Sequence, residues 1–382
     1  MHDALLQWTR GGVLMAGASC LLTALFVVLL RPLGLALGLV AHPDVRKIHA
    51  QPTPLVGGQA ITFAGLIAAA ALLPMTPDVK ALGVASLLML VVGTLDDRFD
   101  INWRYRIVAQ AAAALILYLW GGVRVESIGN ALGFAGHTLG LLSLPFTVLA
   151  TVGLCNAINM ADGVDGLAGS LILAAFAMLI AAAIYAGNSA LVADLTLMSG
   201  CVIGFLIFNL RTPWNPRAVV FLGGGSEILG LWVAWASFRL TQTSGHPVTP
   251  VLAPFLIAPP VIDCLVLIVR RVRAGCSPFA ADRNHLHHRL LDTGMSVTGV
   301  VLALTGVSFA VGFVAANARR AHVPEPLFPA IYLAALVGYF YVSRRRAKAS
   351  PRPIARMAAR PAPEARIEPV LLVSGRAERP EI

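Results

Sequence analysis

The sequence predicts an all-α polytopic membrane protein with about eleven transmembrane helices. Three observations carry this. The 382 residues are 57% hydrophobic and only 13% charged, with a mean hydropathy of +0.77. Apolar blocks near the ~20 residues that cross a bilayer recur from end to end. Charged residues gather in the gaps between those blocks, which leaves no stretch from which a sizeable soluble domain could be built.

The blocks fall near 12–32, 57–76, 81–95, 106–120, 139–157, 167–187, 190–208, 226–241, 250–269, 297–316 and 325–342. The first follows Arg10 as a signal peptide would, but it is too long for an h-region and has no clear small-residue cleavage site, so it reads as a span. Residues 1–343 therefore form one multi-span domain, and 344–382 form a tail.

Cytoplasmic loops retain Lys and Arg, which sets the orientation. One choice of sides puts thirteen Lys or Arg, with ten more in the tail, on one face and leaves six on the other. That choice places the amino terminus outside, and the carboxyl terminus in the cytoplasm with the segments 42–56, 96–105, 158–166, 209–225 and 270–296. A formal net charge of +10 suggests a nucleic-acid binder, but the tail alone supplies +6 of it. Arg344, Arg345, Arg346 and Lys348 follow the last span, where anionic lipid headgroups attract basic residues. Pro and Ala fill the rest of the tail, which reads as disordered. Membrane lipid is thus an expected partner and nucleic acid is not. Cys20, Cys155, Cys201, Cys264 and Cys276 show neither metal spacing nor a paired framework.

Four polar clusters interrupt the apolar pattern. HPDVRKIHAQPTPLVGG (42–58) is an irregular loop carrying Arg46, Lys47 and His49; GTLDDRFDINWRYR (93–106) holds Asp96, Asp97, Arg104 and Arg106. NAINMADGVDGLAGS (156–170) holds Asn159, Asp162 and Asp165, and SPFAADRNHLHHRLL (277–291) holds His285, His287 and His288. All four fall on the expected cytoplasmic face, as one active site assembled from several loops requires. Carboxylates at span ends are unfavourable near hydrocarbon unless paired, hydrated or metal-bound, so they tend to line a cavity.

Asp162 and Asp165 lie three apart, so a helix starting near 163 would put them on one face. With Asn159, Asp96 and Asp97 they make an oxygen-rich pocket of the kind Mg²⁺ prefers, and Mn²⁺ is an alternative. A divalent cation among carboxylates points to a phosphate substrate. Lys47, Arg104, Arg106 and the histidines supply cations for a second phosphate, since phosphoryl chemistry depends on positioning and charge neutralisation. Competing readings weigh against single motifs. Adjacent aspartates can simply cap a helix, HxHH lacks the usual zinc spacing, and Gly223–Gly225 has no following Lys, which excludes a P-loop.

Together, RKIH with PLVGG, LDDRFDI, NAINMADGVDGLAG and RRVRAGCSPFAADRNHLHH resemble the polyprenyl-phosphate N-acetylhexosamine-1-phosphate transferase family over most of the chain. SPFAADRNHLHH and the HPVTP stretch at 246–250 are most similar to the branch that uses UDP-N-acetylglucosamine and undecaprenyl phosphate. The resemblance implies a Mg²⁺-dependent exchange at the cytoplasmic face of a bacterial inner membrane. A lipid phosphate attacks the β-phosphorus of the sugar nucleotide, releases UMP and starts a lipid-linked surface glycan such as O-antigen. It implies Asp96 and Asp97 as the catalytic pair, Asn159 as a metal ligand, and Asp162 and Asp165 as shaping the metal and nucleotide site. Lys47, His285, His287 and His288 would contact pyrophosphate or sugar phosphate, with His49 and Arg104 beside them.

One departure stands out. The family carries a glycine-aspartate-x-glycine-serine motif whose aspartate binds metal, whereas this chain reads VVFLGGGSEILG (219–230), one residue shorter and without that carboxylate. Glu227 is the nearest acidic residue to stand in. A catalytically impaired relative that binds nucleotide as a scaffold is the alternative the departure leaves open.

Overall fold

The computed structural model describes residues 2–41, 52–133, 138–242, 247–278 and 284–347, with side chains from 11 to 343. Among them twelve α-helices follow in chain order: α1 (His2–Ala36), α2 (Gly57–Leu72), α3 (Pro77–Phe99), α4 (Trp103–Leu119), α5 (Ser143–Ala161), α6 (Leu167–Tyr185), α7 (Ser189–Asn209), α8 (Gly225–Thr241), α9 (Ala258–Arg273), α10 (Leu286–Asp292), α11 (Val297–Arg320) and α12 (Leu327–Ala347). One short hairpin, β1 (Val40–Ala41) antiparallel to β2 (Thr53–Pro54), leads into α2.

Each apolar block of the sequence falls on a helix, and six helices, α1, α3, α5, α6, α7 and α11, are long and apolar enough to cross a membrane. Helices α4, α8 and α9 have only 16 or 17 residues. At about 1.5 Å per residue such a helix reaches roughly 25 Å, short of a ~30 Å hydrocarbon core. Helix α8 illustrates what this allows: all its side chains except Arg239 and Thr241 are buried in the bundle.

Several boundaries differ from those read in sequence. The block at 250–269 is broken into a 3-10 turn, Pro250–Phe255, and α9, because Pro254, Pro259 and Pro260 cannot continue one helix. The segment 286–292 inside the last polar cluster forms α10. Residues 344–347, assigned to the tail, continue α12; the rest of the tail, Lys47 and His49 lie outside the described residues.

Local chemistry fixes the ends near the polar clusters. Helix α3 begins with Pro77 at its first position and Asp78 in its first turn, and stops where Asp100 turns left-handed at φ 49°. Asn102 then caps α4, accepting the Arg104 backbone N–H at 3.0 Å. Helix α8 is the axis, packed on α2, α3, α5, α6 and α7. Its start meets its neighbours backbone to backbone: a Cβ built on Gly58 would lie 2.5 Å from Gly225 Cα, and one on Gly93 3.0 Å from Gly224 Cα. Small residues permit this approach, and it draws the ends of α2, α3 and α8 together.

Candidate active site

The glycine turn before α8 grips Asp97. Gly224 donates its backbone N–H to Asp97 Oδ2 at 2.9 Å. Gly223 adopts φ 57°, and a Cβ there would sit 2.1 Å from the same oxygen, so only glycine fits. The neighbouring Asp96 points elsewhere. Its Oδ2 lies 2.8 Å from Arg106 Nη1, and Arg106 Nε lies 3.6 Å from Glu227 Oε1. Glu227 accepts from Gln110 at 2.9 Å, and Gln110 accepts from Asn156 at 2.7 Å. Adjacent positions on a helix face about 100° apart, so one carboxylate is committed to a cation and the other to the turn. Glu227, 4% exposed and engaged on α4, therefore does not take the place of the missing motif aspartate.

Helix α5 brings the third cluster to the same place. Asn159 donates to Ser226 Oγ at 3.0 Å, and Ser226 Oγ donates to Gly223 O at 3.2 Å, tying α5 to the turn. Asp162 follows as the residue that ends α5. The expected helix from 163 does not form: Gly166 is left-handed at φ 83° and α6 begins at Leu167, so Asp162 and Asp165 do not share a helical face. Asp165 is buried, with Arg211 Nε at 2.7 Å and the Ala218 N–H at 3.3 Å, and holds the chain leaving α7. Asn209 completes that anchor, accepting from Gly166 N and donating to Val220 O, both at 2.8 Å.

No donor among the described residues reaches the Asp162 carboxylate. It keeps part of its surface open, yet surrounding protein, then Asp165 and Asp97, push its pKa up to about 7. Repulsion of this kind between neighbouring carboxylates is what a divalent ion relieves. Mg²⁺ typically takes one or two carboxylates and leaves its other positions to water or phosphate, so Asp97, Asp162 and the amide oxygen of Asn159 suit it chemically. Among the described residues no three His, Cys, Asp or Glu converge as a preformed metal cluster, and this includes the histidines.

The last cluster closes the pit. Asp263 of α9 lies 3.2 Å from His285 Nδ1, accepts the Leu286 backbone N–H at 3.2 Å, and accepts from Tyr339 of α12 at 2.6 Å. His287 stacks on His285 with ring centres 5.4 Å apart, and packs so closely on Gly163 that a Cβ there would lie 2.2 Å from its Nε2. Burial, then His288 and His285, lowers the His287 pKa to about 2, so it is a neutral imidazole. Its buried Nε2 has no hydrogen-bond partner, an arrangement that awaits a ligand atom. Arg104 is exposed over the Trp103 ring and makes no ion pair with the carboxylates among the described residues.

The structure thus brings Asp96, Asp97, Asn159, Asp162, Asp165, His285, His287 and His288 to one end of the bundle. Sequence reasoning did not single out Gln110, Asn209, Asp263 or Tyr339 as supports. Polar residues inside apolar helices are rare and tend to face other polar groups, and that signal was available for Gln110 and Asp263.

The carboxylates and histidines thus form a pit at one end of a helical bundle, six of whose helices are long and apolar enough to cross a membrane. Residues 79–241 match glycosyl transferase family 4. Over 328 residues the chain is 32% identical to the undecaprenyl-phosphate alpha-N-acetylglucosaminyl 1-phosphate transferase of Escherichia coli K12, covering 85% of this chain and 89% of that one. The protein of the same name from Haemophilus influenzae is 36% identical over 286 residues, 74% of this chain and 80% of that one. The chain belongs to glycosyl transferase family 4, and is a phosphoglycosyltransferase of the membrane.

Proposed function

We infer that the chain transfers N-acetylglucosamine 1-phosphate from UDP-N-acetylglucosamine to undecaprenyl phosphate, releasing UMP and initiating a lipid-linked surface glycan. The site faces the cytoplasm of a bacterial inner membrane, with the amino terminus outside and the carboxyl terminus inside. The observation that carries the reading is the joining of Asp97, Asn159, Asp162 and His287 around the glycine turn at one end of the bundle.

In this reading an oxygen of the lipid phosphate bonds to the β-phosphorus of the nucleotide. The bond from that phosphorus to the bridging oxygen breaks, and its electron pair leaves with UMP. Asp97 and Asp162, with Asn159, would hold Mg²⁺ or Mn²⁺, which neutralises pyrophosphate charge when bound. The unpartnered Nε2 of neutral His287 is suited to a hydrogen bond with a phosphate oxygen, and Asp263 and Tyr339 orient the histidines behind it. Asp96 and Arg106 fix the end of α3 on which Asp97 stands.

Membranes containing the protein should convert labelled UDP-N-acetylglucosamine and undecaprenyl phosphate to a lipid product, and Asp97→Asn should abolish it. No product at millimolar Mg²⁺ or Mn²⁺ would overturn the reading. The absent motif carboxylate favours one second reading, a nucleotide-binding member without turnover; nucleotide-dependent thermal stabilisation with no product would support it.

A further inference from the structure

We propose that the end of the bundle remote from the pit holds one phospholipid with an ammonium-bearing zwitterionic headgroup, its acyl chain in an apolar cavity between α2, α3, α7 and α8 and its phosphate on Lys80. The cavity measures about 280 Å³ and is lined by apolar side chains such as Leu66, Leu73, Val84, Leu87, Met198 and Trp232. Val84 and Leu87 are partly exposed, as are Met75 and Trp120 at its edge, so it opens sideways, where hydrocarbon would surround the bundle.

Its position separates it from the reaction. The lining residues of α3 lie in its first three turns, while Asp97 lies in its last. Asp97 lies thirteen positions after Val84, roughly 20 Å along the axis. If α3 crosses the bilayer, the cavity lies in the leaflet opposite the pit.

The rim selects the headgroup. Lys80 is exposed and its ammonium has no hydrogen-bond or ion-pair partner among the described residues, although it lines the cavity. Asp194, which also lines the cavity, shares the guanidinium of Arg239 with Asp78, and that guanidinium stacks on Trp235 at 4.7 Å. Two carboxylates against one guanidinium give that triad a formal excess of one negative charge, opposite in sign to Lys80. A headgroup with one phosphate and one N–H-bearing ammonium complements both, whereas a purely anionic headgroup answers only the lysine. A quaternary ammonium matches the charge but has no N–H for the aspartates.

The test is native mass spectrometry of the full chain, delipidated and incubated with phosphatidylethanolamine, phosphatidylglycerol, phosphatidylcholine or undecaprenyl phosphate. Phosphatidylethanolamine should be retained one per chain in preference to the other two phospholipids, and its retention should be independent of undecaprenyl phosphate bound at the pit. Its apparent affinity should fall about ten-fold in Lys80→Met, the size expected for losing a charge-assisted hydrogen bond. Ala69→Phe, which fills the cavity, should also block retention, and Lys80→Met should leave transferase activity within two-fold. Equal retention of all three phospholipids, a Lys80→Met variant that binds phosphatidylethanolamine like the parent, or competition between undecaprenyl phosphate and phosphatidylethanolamine for one site would each overturn the proposal. So would a dimer that covers the cavity.

Discussion

Replacing Arg106 with methionine tests whether the ion network behind Asp96 holds the end of α3 in place. The guanidinium lies 2.8 Å from Asp96 Oδ2, whose side chain is 17% exposed, so that arm contributes about 1 kcal/mol. The other arm, 3.6 Å to Glu227, matters more because that side chain is only 5% exposed. Removing the partner of a buried carboxylate costs about 3–5 kcal/mol, and the surviving bond from Gln110 offsets about 1 of it. Arg106→Met should therefore lose roughly 3–5 kcal/mol. Glu227→Gln leaves Arg106 on Asp96 and keeps an acceptor for Gln110, so it should lose about 1 kcal/mol. In the double variant the buried charge has gone together with its counterion, and the loss should return to about 1–2 kcal/mol, a coupling of about 2–5. Equilibrium unfolding in mixed micelles measures the cycle, with transfer rate followed beside it. Additive losses, with coupling under about 0.5 kcal/mol, would show that the pair is hydrated and does not hold α3 to α4 and α8.

Gly223→Ala should lower transfer at least ten-fold while stability drops by about 1–2 kcal/mol, since its Cβ displaces the Asp97 carboxylate and its backbone is left-handed; unchanged kcat would remove Asp97 from the reaction. Tyr339→Phe deletes one of the donors to Asp263, and should raise KM for the nucleotide sugar about ten-fold with a smaller change in kcat; equal falls in both would mark a general packing defect instead. For Asp162→Asn the sign follows from its raised pKa of about 7. Between the unfolded value near 4 and about 7 the folded state binds more protons, so this group's contribution to stability is full at low pH and lost as pH rises through 7. Without divalent metal the asparagine variant should melt above the parent at pH 8, and the difference should vanish toward pH 4; a constant difference would mean that Asp162 titrates normally.

Much of the helix content was legible because apolar blocks of nearly membrane-spanning length leave few alternatives, and Asp97 was legible because a carboxylate at the end of such a block requires a reason. The partition between Asp96 and Asp97 was not. It depends on Arg106 reaching Glu227, a residue more than a hundred positions away, and on a glycine backbone N–H, which carries no side-chain signal. Asp165 was misplaced for a local reason: Gly166 turns left-handed and delays α6 to Leu167, and three-residue spacing defines a shared face only inside a helix. The break at 250–269 was readable from its prolines, whereas the clamp of Asp263 on His285 needs α9, α10 and α12 to meet.

The shortened glycine turn changes how the pit must work. Where the family pattern sets an anionic oxygen, this chain sets the backbone of the glycine turn that leads into α8, while the N–H groups of Gly225, Ser226 and Glu227 bond within that turn. The Gly224 amide, just before α8, holds Asp97 Oδ2. Fewer negative charges remain to bind a divalent ion, and Asp165 is spent on Arg211. Asp162, the carboxylate without a fixed donor among the described residues, then carries a larger share of any such binding. Loss of Asp162 should accordingly be as severe for transfer as loss of Asp97. Restoring an aspartate after Gly223 should lower the concentration of Mg²⁺ needed for half-maximal rate, while its extra residue loosens the grip of Gly224 on Asp97. An insertion that leaves that concentration unchanged would mean that the turn, and not the missing charge, sets the affinity of this site.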